Sequence, residues 1–209
     1  METRSLIKAL AEDAAPRGPG FGARWALALG LGIALALTVF AALLSPRADL
    51  GAAMGQWRFG FKMGMALLVA LTALPLLRAL SRPGGRAGRA LWLVALALMA
   101  GALAEGLTLP PEARFPALMG QHNWACLALV TLIGLAPLAV FLGFLRRAAP
   151  TDLPRAGALA GLASGGIAAT LYALHCTDDS PLFVAVWYNA AVLGLAALGA
   201  LLAPRLARW

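Results

Sequence analysis

A chain of 209 residues with 61% hydrophobic and only 12% charged residues lies far outside the composition of a soluble domain, whose charged fraction is about 25%. Mean hydropathy of +0.81 agrees, so a soluble enzyme is excluded and the sequence reads as an integral membrane protein. The formal net charge of +8 has no basic domain to carry it. It therefore predicts membrane topology and attraction to anionic membrane lipid, with no direct nucleic-acid contact.

Residues 1–22 form a segment of their own. Thr3 or Ser5 can cap a short helix with Leu6, Ile7 and Leu10 along one edge and Glu2, Arg4, Lys8, Glu12 and Asp13 elsewhere. Pro16 and the run Gly18, Pro19, Gly20 end it. A helix of about a dozen residues is marginal alone in water, so its apolar edge needs a surface. An amphipathic anchor on the inner leaflet and a docking helix for a soluble partner both satisfy that need. The segment lacks the pattern of a signal peptide.

From residue 23 to 209 the chain is one six-span domain. The apolar stretches 23–44, 61–80, 90–109, 124–145, 156–174 and 182–202 are each near the roughly 20 residues a helix needs to cross a bilayer. The fold class is all-α: a six-helix transmembrane bundle with a short cytoplasmic N-terminal amphipathic helix. Positive loops stay in the cytoplasm, and of 17 Lys and Arg only Arg47, Arg58, Lys62 and Arg114 fall on one face. Both termini are therefore expected on the other, cytoplasmic face. Trp25, Trp92 and Trp209 mark inner ends and Trp57 and Trp124 outer ends, with Trp187 a turn inside. Ala, Arg and Gly usage suggests a GC-rich bacterial genome, which places the chain in an inner membrane with the outer face in the periplasm.

Within the spans, Pro75 and Pro137 predict kinks. Gly157, Gly161 and Gly165 repeat every four residues and form a smooth ridge, suited first to a bundle seam and second to a dimer face. Lys62 and Glu105 are the only charges away from the inner ends, both near the outer interface, where snorkelling or a mutual pair accounts for them. Mid-membrane carries no ionisable relay and no paired broken helices, which argues against a transporter.

The chemistry-bearing residues gather at the outer face. His122 and Cys126 are four apart at the start of the fourth span, a usable metal-ligand spacing on a helix. His175 and Cys176 are adjacent between the fifth and sixth spans, followed by Asp178 and Asp179 in a loop with no positive charge of its own. Three readings stand. In the first the cysteines are small packing residues. In the second they form a disulfide closing a loop of about 50 residues, nominally worth about 4 kcal/mol. Or Cys126, Cys176, His122 and His175 supply four soft ligands for zinc, copper or cadmium. A membrane thiol oxidoreductase would need a second thiol pair to relay electrons, and a heavy-metal transport accessory protein would need ligands inside the membrane. No catalytic triad, phosphate-binding loop or mid-membrane carboxylate pair is present, so no enzyme is expected.

The stretch 172–184, reading YALHCTDDSPLFV, followed by Trp187 and Tyr188 and closing on Arg208 and Trp209, resembles the C-terminal signature of the NrsF family. Leu6, Ile7, Leu10, Asp13 and Pro16 resemble that family's N-terminal motif, and Cys126 matches its first cysteine. Thr177 stands where the family usually has proline, and Asp178 where glutamate is common. The resemblance covers essentially the whole chain. It implies a membrane anti-sigma factor that holds an extracytoplasmic-function sigma factor and releases it under heavy-metal or oxidative stress. Leu6, Ile7, Leu10 and Asp13 would then bind the sigma factor, and Cys126 and Cys176 would be the periplasmic sensor pair. No cofactor is required, and a soft metal ion would act as signal.

Overall fold

The computed structural model describes residues 3–5, 7, 19–85 and 88–207. Eight helices are described from residue 19 onward: α1 (Phe21–Leu43), the single turn α2 (Leu50–Ala53), α3 (Trp57–Leu80), α4 (Ala90–Thr108), α5 (Pro111–Met119), α6 (Asn123–Leu145), α7 (Leu153–Ala173) and α8 (Pro181–Leu206). Among the described residues no strand is present. Six helices are long and apolar enough to cross a membrane, and the chain is a multi-pass membrane protein. Helices are what the solvent demands, because hydrocarbon leaves backbone N–H and C=O groups only intrahelical partners. Hydroxyls follow the same rule: Thr38, Thr72, Ser81, Thr131, Ser164 and Thr170 each donate to the carbonyl four residues earlier.

The centre of the bundle is α7, which packs against α8, α3, α6 and α1. Its small residues permit this. A Cβ on Gly157 would stand 2.2 Å from the carbonyl oxygen of Gly199, and one on Gly161 2.1 Å from that of Leu195. The glycine ridge is thus the α7–α8 seam and is covered within the chain. Large side chains fill the other joints: Trp25 stacks on Phe141 and meets Phe144 edge-on, which fixes α1 to α6. By contrast α4 is peripheral, meeting α3 and the start of α8.

Several boundaries differ from the sequence expectation. The first span begins at Phe21, the second at Trp57 and the sixth at Pro181, so Arg58 and Lys62 lie on the first turns of α3. Pro75 and Pro137 are inside unbroken helices. Between the third and fourth spans lies α5, whose Pro111 occupies a helix start where no N–H is needed. Within α8, Val184–Tyr188 is a π-helical turn that the apolar pattern did not reveal. Residues 3–5 and 7 are helical and Ile7 is exposed; Leu6, Leu10 and Asp13 lie outside the described residues.

Candidate functional site

Cys126 and Cys176 lie at the same end of the bundle, near the ends of α6 and α7. Cys126 sits one turn into α6, its N–H donating to the His122 carbonyl at 2.7 Å. Cys176 follows α7, its N–H donating to the Tyr172 carbonyl at 2.9 Å. Both are free thiols and both are buried. Both belong to the same buried core cluster. Tyr172 and Tyr188 border the Cys176 thiol, their rings 5.9 Å apart, and Phe183 meets Tyr188 edge-on at 6.2 Å. Burial in this setting pushes the Cys176 thiol up from its ordinary value, against the pull of the nearby Lys62 charge.

The loop 174–180 is held by charges from other elements. Lys62, with no exposed side-chain surface, donates to the carbonyl oxygens of Cys176 at 2.7 Å and Asp178 at 3.3 Å, and pairs with the Asp179 carboxylate. Arg47, from the link after α1, reaches Asp179 at 2.8 Å and Asp49 at 2.7 Å, while its N–H donates to the Leu174 carbonyl at 2.9 Å. The Asp49 and Asp179 carboxylates hold the Arg47 guanidinium well above its ordinary range, and Arg47 holds Asp49 low.

Glu105, near the end of α4, makes a second clamp. Its carboxylate pairs with Arg58 at 2.9 Å and accepts from the Ser180 hydroxyl at 2.5 Å and the Leu182 N–H at 3.1 Å. These contacts correct two sequence readings. Lys62 and Glu105 neither snorkel nor pair with each other; each holds a different end of the loop before α8. That loop, without positive charge of its own, is neutralised by Lys62 and Arg47.

The histidines turn away from the thiols. His122 stands at the N-cap position of α6, half exposed, and its Nδ1 meets the Asp178 carboxylate at 3.2 Å. The same carboxylate accepts the backbone N–H groups of Gln121 at 3.1 Å and His122 at 2.9 Å. Gly120 makes this approach possible: its φ is +58°, and a Cβ there would lie 2.5 Å from the Phe183 ring and 2.9 Å from the Asp178 carboxyl carbon. Nδ1–H of His175 donates to the Ser45 carbonyl at 2.7 Å. His122 and His175 line one cavity of about 520 Å³, together with Arg47, Asp49 and Tyr172. Among the described residues no three His, Cys, Asp or Glu side chains are gathered as a metal site. The four-ligand set Cys126, His122, His175 and Cys176 is therefore not assembled in this conformation, because Asp178 and Ser45 hold both imidazoles outward.

The two thiols are legible in the sequence; what holds them is not. A lysine inside an apolar stretch and a pair of aspartates after Cys176 were the available signals. Pairing them required knowing that α3 and the loop after α7 share one end of the bundle, and sequence separation hides that.

The comparisons with known proteins agree on one family. The model of the family described as NrsF, negative regulator of sigma F, matches residues 10–209. An anti-sigma-F factor NrsF of Caulobacter vibrioides is 38% identical over an alignment of 217 positions covering 100% of both chains. A probable anti-sigma-F factor NrsF of Azospira oryzae is 35% identical over 213 positions, again covering 100% of both. No solved structure matches the chain. The chain belongs to the NrsF family, a family of regulators and not of enzymes.

Proposed function

We propose that this chain is an anti-sigma factor of a bacterial inner membrane, with both termini in the cytoplasm and the thiol end in the periplasm. In this reading residues 1–22 dock an extracytoplasmic-function sigma factor through Leu6, Ile7, Leu10 and Asp13, and residues 23–209 form the sensing domain. The inducing stress acts at Cys126 and Cys176. Family membership carries the anti-sigma role. The arginine-rich face of the spans supports the orientation. The exposed Ile7 side chain is consistent with an apolar edge seeking a partner.

The observation that supports the sensor reading is the clamp on Cys176. Its backbone carbonyl is the acceptor of Lys62, so a change at its thiol that moves the backbone must disturb a charge-assisted bond to α3. Oxidation of the two thiols to a disulfide would pass two electrons and two protons to the oxidant. A soft cation such as zinc, copper or cadmium would instead displace the thiol protons and bridge two thiolates. Either event draws Cys126 of α6 and Cys176 together. Lys62 and Arg47 must then re-pair, which biases α3 and α1 between two arrangements. No resident cofactor is needed, and the metal is signal only.

Co-purification tests the docking half. Full-length protein in mild detergent should retain the sigma factor, and the double change Leu6→Ala, Leu10→Ala should lose it. Equal retention by both would remove residues 1–22 from the docking role.

A further inference from the structure

We propose that the groove between the start of α1 and the end of α6 is a binding site for one anionic phospholipid, with its phosphate on Arg24, Arg146 and Arg147 and a chain along the apolar wall. The groove has a volume of about 530 Å³ and lies at the opposite end of the bundle from the thiols. Nη1 of Arg24 donates to the Arg147 carbonyl at 3.2 Å, which brings the two arginine-bearing segments together. The Nε of Arg24 is enclosed and has no hydrogen-bond partner.

Charge supports an anionic occupant. Among the described residues no carboxylate lies within ion-pair distance of Arg24, Arg146 or Arg147, whereas Arg155 nearby is paired with Asp152 at 3.2 Å. An arginine fork matches phosphate oxygens in two parallel bonds, and several arginines at one rim suit a phosphodiester. The walls decide between free phosphate and lipid. Leu31, Val140 and Gly143 belong to the membrane-spanning parts of α1 and α6. An inorganic phosphate would fill the rim and leave this wall empty, whereas a phospholipid presents phosphate and hydrocarbon on one molecule. Basic pockets between spans at the cytoplasmic face bind such headgroups. The site stands at the root of the segment that precedes α1, so an occupied groove would fix where that segment leaves the membrane.

Gly143 gives the sharpest test. A Cβ there meets no atom within 4 Å, so Gly143→Leu should fold while its side chain fills the groove and leaves every arginine in place. Full-length protein in mild detergent would be supplied with phosphatidylglycerol or phosphatidylcholine and read by native mass spectrometry. Wild type should retain one phosphatidylglycerol per chain and little phosphatidylcholine. Gly143→Leu should lower retention by about tenfold by taking the space of the acyl chain, and separately the triple change Arg24→Gln, Arg146→Gln, Arg147→Gln should do so by about tenfold or more through lost charge-assisted contacts. Arg155→Gln should retain it, and excess inorganic phosphate should not displace it. Retention by folded Gly143→Leu, equal retention of phosphatidylcholine, an equal loss in Arg155→Gln, or displacement by inorganic phosphate would each overturn the proposal. Binding seen only after deletion of residues 1–18 would overturn it too, assigning the groove to that segment.

Discussion

The Nζ of Lys62 donates to the backbone carbonyl of Cys176 at 2.7 Å, so a residue carrying one of the two thiols is held by a charge from another span. Removing one partner of a buried pair costs about 3–5 kcal/mol. Because Arg47 remains on Asp179, Lys62→Met is expected near the lower end, about 3 kcal/mol. It should also make Cys176 label faster with a maleimide. Thermal unfolding in detergent and labelling at fixed pH check this; wild-type values for both would show that the clamp does not hold the loop.

Glu105 and Arg58 form the second clamp, and a double-mutant cycle isolates it. Glu105→Gln alone strips the charge that accepts from Ser180 and the Leu182 N–H, with an expected cost of about 1.5–3 kcal/mol for hydrogen bonds to a charged group. Arg58→Gln combined with Glu105→Gln should cost less than the sum of the two single changes. Additive effects would mean that the ion pair does not couple α3 to α4.

Backbone geometry at Gly120 makes a third prediction. An alanine there would have to adopt positive φ and displace the Phe183 ring. Gly120→Ala should destabilise by about 1–3 kcal/mol, the scale of such strain. At the α7–α8 seam, Gly161→Ala should cost a similar 1–3 kcal/mol by overpacking. A control is Gly194→Ala, where the added methyl meets nothing within 4 Å in a helix interior and stability should not fall. Parallel thermal scans of the three variants distinguish the sites.

Burial raises the Cys176 thiol above its unfolded value. A thiol raised on folding contributes stability that is present below the unfolded pKa, about 8.5, and lost as pH rises through the folded value. Stability should therefore fall above pH about 8.5, and Cys176→Ser should flatten that fall. In a Cys126→Ser background, alkylation of Cys176 should reach half its maximal rate at a higher pH than a free cysteine does. An ordinary midpoint would mean the thiol is not buried in solution.

Much of the fold was legible because hydrocarbon tolerates few structures. Six apolar stretches become six helices, and the four-residue spacing of Gly157, Gly161 and Gly165 becomes a seam wherever two helices must approach closely. The site was only half legible. Cys126 and Cys176 stand out as the chain's only cysteines, yet the pairs Lys62 with Asp179 and Arg58 with Glu105 join residues far apart in sequence, and no local pattern announces them. The imidazoles show the opposite failure. Spacing suggested that His122 and Cys126 act together, but a histidine at the helix cap turns to Asp178 while the cysteine one turn later faces the core.

The most direct test of sensing by the thiol pair is sigma-factor release in cells carrying wild type, Cys126→Ser or Cys176→Ser, measured as the sigma factor co-purifying with the full-length protein before and after cadmium or a thiol oxidant. Wild type should lose its sigma factor on treatment while both serine variants keep it. Release from either serine variant to the wild-type extent would contradict the assignment of the thiol pair as the sensor.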